Sequence, residues 1–208
     1  MMKRAIGLVT GLLLVVPAAA SAQVSWDSPY PMGPGLTDGM SVQLVDPWPG
    51  SNVGAMVTWR RSRVPGGLGF RVGVADGFAG DLAGFGGIQA SGMLMHSDEQ
   101  FPLDLSWATG AGLSVGRFAL VSFPLGLYAG RSFQGEQVRF IPFIGPRLDL
   151  DAYMGSNRPE RRGNDQLDLA FSADLGGDIV FDRLGVRFAA SVGDHDALSI
   201  GLVFPGVH

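Results

Sequence analysis

The feature that most restricts this chain is a period of two. From Ala119 to Phe133, residues Ala119, Val121, Phe123, Leu125, Leu127, Ala129 and Phe133 share one face, interrupted by Arg131. Leu120, Ser122, Pro124, Gly126, Tyr128, Gly130 and Ser132 share the other. Such alternation places i, i+2 and i+4 on one side of a strand. At about 3.3 Å per residue the segment reaches roughly 50 Å, long for a globular strand and enough for a tilted path through a bilayer.

The next two segments alternate with charge on the second face. Val138, Phe140, Ile144, Leu148, Leu150 and Met154 oppose Arg139, Ile141, Phe143, Arg147, Asp149, Asp151 and Tyr153. Leu167, Leu169, Phe171, Ala173, Leu175, Ile179 and Phe181 oppose Asp168, Ser172, Asp174, Gly176 and Asp178. Shorter alternations run from Val53 to Arg60, Leu68 to Val74, Phe101 to Val115, Leu184 to Gly193 and Leu198 to Phe204. Two weaker segments, Met40 to Asp46 and the Gly-diluted Leu82 to His96, raise the number of strands from eight to ten. Val64-Pro65-Gly66-Gly67, Gly116-Arg117 and Gly193-Asp194-His195-Asp196 are turn chemistry, because Gly and Asp tolerate positive φ.

Composition removes whole classes. Of 208 residues, 46% are hydrophobic and 16% charged, with 32 Gly and no Cys, which excludes disorder, a disulfide scaffold and a thiolate metal site. Lys3 and Arg4, the apolar run Ile6 to Val16 and Ala20-Ser21-Ala22 read as a signal peptide over residues 1–22. Its removal takes two of 15 cations, leaving 13 arginines against 19 acidic residues and a formal charge of −6. An acidic chain without clustered cations is not expected to bind nucleic acid. Residues 23–37, with Pro29, Pro31 and Pro34, form a Pro-rich lead-in; 38–204 form one β domain, and 205–208 a short tail.

No later apolar run is long enough for a spanning helix, so the apolar strand faces need another cover. The second faces are crowded with Gly, Ala and Ser plus sparse Asp and Arg, which suits the interior of a closed barrel rather than a surface facing bulk water. The expected fold is therefore all-β: a closed antiparallel up-and-down transmembrane barrel with its apolar faces toward lipid. Pro102, Pro124, Pro142 and Pro146 fall inside the proposed strands and predict bulges or strand ends beyond the hydrocarbon layer.

On these strands, the signal peptide and the ending Ser199-Ile200-Gly201-Leu202-Val203-Phe204, the chain resembles the small bacterial outer-membrane β-barrel proteins of the OmpA/OmpX type. The ending is similar to the polar-x-Gly-x-x-aromatic signal read by the barrel assembly machinery, although Pro205-Gly206-Val207-His208 follow it. The resemblance implies an outer-membrane location, contact with outer-membrane lipids, passage through the assembly machinery, a monomer, and a non-enzymatic envelope role or a very small pore. An outer-membrane lipid-modifying enzyme and a soluble periplasmic barrel holding an apolar ligand are the alternatives; no cofactor and no metal are expected.

The inward residues Arg139, Arg147, Asp149, Asp151, Asp168, Asp174, Asp178 and Arg187 form the main candidate constellation, expected as an ion-pair and hydrogen-bond network that plugs the lumen. Asp194-His195-Asp196 reads as a polar turn, and His96 beside Ser97-Asp98-Glu99 lacks a nucleophile motif. Arg158, Arg161 and Arg162 mark a long surface loop between Ser156 and Asp165. Trp26, Trp48, Trp59, Trp107, Tyr128 and Tyr153 are expected as an interfacial aromatic girdle.

Overall fold

A computed structural model describes residues 32–46, 53–61, 67–76, 82–116, 118–154 and 167–206. The signal peptide, Trp26, Trp48, most of the lead-in and the loop arginines Arg158, Arg161 and Arg162 lie outside them. In chain order the strands are β1 (Gly39–Asp46), β2 (Gly54–Arg61), β3 (Leu68–Asp76), β4 (Leu82–Met95), β5 (Asp104–Val115) and β6 (Ala119–Gly130). There follow β7 (Phe133–Gln134), β8 (Val138–Met154), β9 (Leu167–Phe181), β10 (Leu184–Gly193) and β11 (Ala197–Pro205).

Every pairing is antiparallel. β1 pairs with both β2 and β11, and β6 pairs with both β5 and β8, so ten strands close on themselves. Closure removes the sheet edges, which would otherwise present unpaired backbone groups. β7 alone stands outside this ring, bonded to β8 through Phe133↔Phe140 and Gln134↔Arg139. The alternation expected over Ala119 to Phe133 thus ends at Gly130, and Phe133 belongs to this small hairpin.

The two faces of the wall have opposite chemistry. On β6, Phe123, Leu125 and Leu127 are exposed while Leu120, Ser122, Gly126 and Tyr128 are buried. The same alternation on the other strands puts Leu44, Val72, Ile88, Ile144, Leu169 and Ile200 on the outside, each more than half exposed. The apolar faces turn outward, opposite to what a carrier of an apolar ligand in its lumen needs.

The prolines are accommodated without the bulges expected for them. Pro124 lies in β6 and Pro142 and Pro146 in β8, yet the only register shift, between Met93 and Met95, is on β4. The ladder instead opens locally. β5 and β6 keep their register but skip Gly110 and Ala111 opposite Pro124 and Phe123. β6 and β8 likewise skip Leu127 and Tyr128 opposite Pro146 and Gly145. A missing N–H removes bonds from the ladder, and closure by the flanking pairs holds the strand in place. Thr109 meets one freed acceptor by donating its hydroxyl to the Pro124 carbonyl, 2.8 Å away. Pro102 lies before β5, not within it.

Candidate functional site

The lumen is the candidate site, and it is filled from three sources. The first is the wall itself. Arg147, Asp149, Asp151, Asp174, Asp178 and Arg187 are all 2% exposed or less. Arg139 and Asp168, also expected inside, are half-buried. Strand pairing gathers seven of these eight residues into two clusters.

One cluster is built on β8. Arg147 Nε lies 3.1 Å from Asp149 Oδ2 and 3.5 Å from Asp174 Oδ2. Asp174 accepts hydrogen bonds from Ser191 Oγ at 2.5 Å and Tyr128 OH at 2.8 Å, and Asp151 accepts one from Ser122 Oγ at 2.6 Å. Hydroxyls from β6 and β10 thereby serve lone pairs that the single guanidinium does not reach, which is how buried carboxylates remain tolerable. Asp168 lies across the ladder from Asp151. Tyr128→Phe removes the donor to Asp174 without changing the packing of the ring. It is expected to cost about 1–3 kcal/mol, measured by urea unfolding of the refolded barrel.

The other cluster is a bidentate pair. Arg187 donates from Nε to Asp178 Oδ1 at 2.7 Å and from Nη2 to Oδ2 at 2.8 Å. Arg187 and Asp178 are direct partners in the β9–β10 register, so the fork meets the carboxylate without a detour.

The second source is the chain's own lead-in. Residues 32–37 have no strand partner, and Met32, Leu36 and Thr37 are nonetheless buried. Their backbone is served by wall side chains instead. Thr37 N donates to Asp178 Oδ2 at 2.8 Å, and Arg187 Nη2 donates to Thr37 O at 3.0 Å. Arg139 Nη2 reaches Thr37 Oγ1 and Arg60 Nη1 reaches Gly33 O, both at 3.4 Å. A Cβ at Gly33 would come within 2.1 Å of the Phe143 Cβ, so glycine lets the segment lie flat against the wall. Met32 and Leu36 complete a luminal apolar cluster with Met56, Phe85, Tyr128, Ile141 and Phe143. Tyr128 and Phe143 meet edge to face at 6.0 Å.

The interior is therefore plugged by apolar packing and by the lead-in as much as by charge. Several inward apolar residues, Met56 and Phe85 among them, sit on otherwise small-residue faces where periodicity gives them no special mark.

The third source is a turn. Asp194 and Asp196 face the backbone: Phe171 N donates to Asp194 Oδ2 and Gly193 N to Asp196 Oδ1, both at 2.8 Å. His195 between them folds into the lumen and is 0% exposed. Its Nδ1 lies 3.3 Å from Asp149 Oδ2 and its Nε2 3.0 Å from Asp151 Oδ2. The turn expected as simply polar thus delivers a luminal residue, which no strand period could signal.

The aromatics expected as a girdle divide between the two faces. Trp59 is exposed on the outer face and Trp107 half-buried there, whereas Tyr128 and Tyr153 point inward and are buried. The sequence alternation already placed both tyrosines on the inner face, and that pattern outweighs their residue type. Arg71 joins the inner set through hydrogen bonds to Gln89 Oε1 at 3.0 and 2.6 Å. His96 is exposed and 3.9 Å from Asp104. Among the described residues no cluster of His, Asp or Glu has the arrangement of a metal site. Comparison of the chain with family models, curated proteins and solved structures returns no match, so the reading of the site rests on its own geometry.

Proposed function

We propose that this protein is a monomeric, non-enzymatic outer-membrane β-barrel with a plugged lumen and a structural role in the bacterial envelope. It would be delivered by a cleaved signal peptide, folded by the barrel assembly machinery and solvated by outer-membrane lipids. The observation that carries this reading is the outer surface. Each of the ten barrel strands presents exposed large apolar residues, from Leu44 on β1 round to Ile200 on β11. A water-soluble monomer rarely exposes contiguous apolar patches beyond a few hundred Å². A closed barrel in lipid needs such a surface, and strands of 8 to 17 residues are of the right order for a tilted crossing.

The filled lumen supports a structural role over a pore. The fully buried, mutually engaged carboxylates and arginines offer a substrate no approach, which supports a non-enzymatic reading.

Membrane fractionation followed by detergent gels with and without boiling tests the location. The barrel is expected in the outer-membrane fraction with heat-modifiable migration; recovery from the soluble periplasm without detergent would exclude the proposal. Leu125→Arg gives a sharper reading, because Leu125 lies mid-strand and is 56% exposed. Facing the bilayer midplane, the arginine is expected to cost about 2–4 kcal/mol of folding free energy in vesicles. On a water-facing wall it would change stability by less than about 0.5 kcal/mol.

A further inference from the structure

We propose that Asp149, His195 and Asp151 form a buried proton-binding site that latches the β10–β11 turn into the barrel mouth and releases it when the proton leaves. The imidazole lies between two carboxylates, one 3.3 Å from Nδ1 and the other 3.0 Å from Nε2, and all three residues are 0% exposed. A neutral imidazole has one N–H donor and one lone pair, whereas an ionised carboxylate only accepts. Between two carboxylates the neutral ring therefore turns a lone pair toward one set of oxygens. The imidazolium is attracted to both, at the ion-pair distances observed.

The surrounding charges favour the proton on the ring. β8 contributes Asp149, Asp151 and Arg147, and β9 contributes Asp174 beside Arg147 and Asp168 across from Asp151. β6 and β10 bring the hydroxyls of Ser122, Tyr128 and Ser191, and β9 adds Ser172, whose Oγ accepts from His195 N at 3.2 Å. Asp194 and Asp196, on the same turn, are engaged with backbone N–H groups. Among the described residues the wall near the ring carries four carboxylates and one guanidinium, and a positive His195 reduces that excess.

Gly193 has φ of +139°, and a Cβ there would lie 2.5 Å from the Phe171 carbonyl oxygen, so the start of the turn requires glycine. The β10–β11 ladder begins at Ser191↔Ala197, and the β9–β10 ladder runs to Gly193↔Ser172 with Asp194 N donating to the Phe171 carbonyl at 2.9 Å, so Asp194 stays tied to β9 and release of His195 moves only the turn beyond it. Because the closed form binds the extra proton, closure is favoured at low pH and lost as pH rises through the titration of His195.

The latch belongs to the barrel itself and is tested in detergent, so its failure leaves the membrane assignment standing. Imidazole ¹⁵N spectra, assigned with His96→Gln and His208→Gln variants, are expected to show His195 with both nitrogens protonated at pH values where a model imidazole is already neutral. Amide protection at His195 and Asp196, corrected for intrinsic exchange, should fall roughly tenfold or more as His195 loses its proton. Asp151→Asn keeps the shape and is expected to move release to lower pH. His195→Gln should make protection independent of pH. A neutral His195 ring throughout the pH range in which the turn stays protected would overturn the proposal. So would protection with the same pH profile in the parent and His195→Gln proteins.

Discussion

Gly33→Leu is expected to expel the lead-in from the lumen and convert a non-conducting barrel into a conducting one. The added side chain begins where the Phe143 Cβ already lies, 2.1 Å from the position of a Gly33 Cβ. Because that contact is with the wall rather than with a loose side-chain end, the segment has to leave. Its departure uncovers the apolar cluster of Met56, Phe85, Ile141 and Phe143 and removes the backbone partner of Asp178 and Arg187. Loss of Met32 and Leu36 from this cluster is expected to cost about 3–6 kcal/mol in total, at about 1.5–3 kcal/mol for each fully buried side chain. The fold is expected to survive, since the ten-strand ladder does not involve residues 32–37. Planar-bilayer recordings are the measurement: frequent openings in the variant against silence in the parent. Equal silence in a correctly folded variant would mean that the wall side chains close the lumen unaided.

The second large effect is at Arg147. Arg147→Met leaves Asp149 and Asp174 buried without the guanidinium between them, and is expected to cost about 3–5 kcal/mol. In thermal unfolding the barrel should lose its heat resistance, and refolding yield should drop. Removing the carboxylates as well, in Arg147→Met with Asp149→Asn and Asp174→Asn, is expected to recover most of the loss. Replacing a whole buried charge cluster is far less costly than orphaning part of it. A triple variant as unstable as the single one would show instead that the arginine matters through its packing volume, since Arg147 is among the largest fully buried side chains.

These two variants probe contacts that differ in how far they were legible beforehand. Arg147, Asp149 and Asp151 lie two residues apart on one strand, so alternation alone assigns them to the same side of the wall. That Asp174 joins them while Asp178 goes to Arg187 is a matter of register and closure. The relevant pairs are Arg187↔Asp178 on one ladder and Ser191↔Asp174 further along it, and nothing local fixes which carboxylate meets which cation. The lead-in illustrates the opposite case. Met32 and Leu36 have no period and no strand neighbours, so their burial follows only from the space the closed wall encloses.

The prolines divide in the same way. Their presence in strands was evident, and bulges were the local remedy expected. In the structure β6 keeps its register on both sides, because eight pairs with β8 precede one gap and six pairs with β5 follow the other. A ladder supported at both ends tolerates a missing bond without inserting a residue.

By itself the sequence determined the ten strands and the polarity of the two faces, because both are written in neighbouring residues at a spacing of two. The tertiary structure decided what occupies the lumen. Met32, Leu36 and His195 lie outside the periodic segments, and their places depend on ring closure, which brings β6 against β8 and β1 against β11. It also decided the ionic partners. A charge on a strand face can choose among several neighbours until the register of the adjoining strand fixes the distance to each.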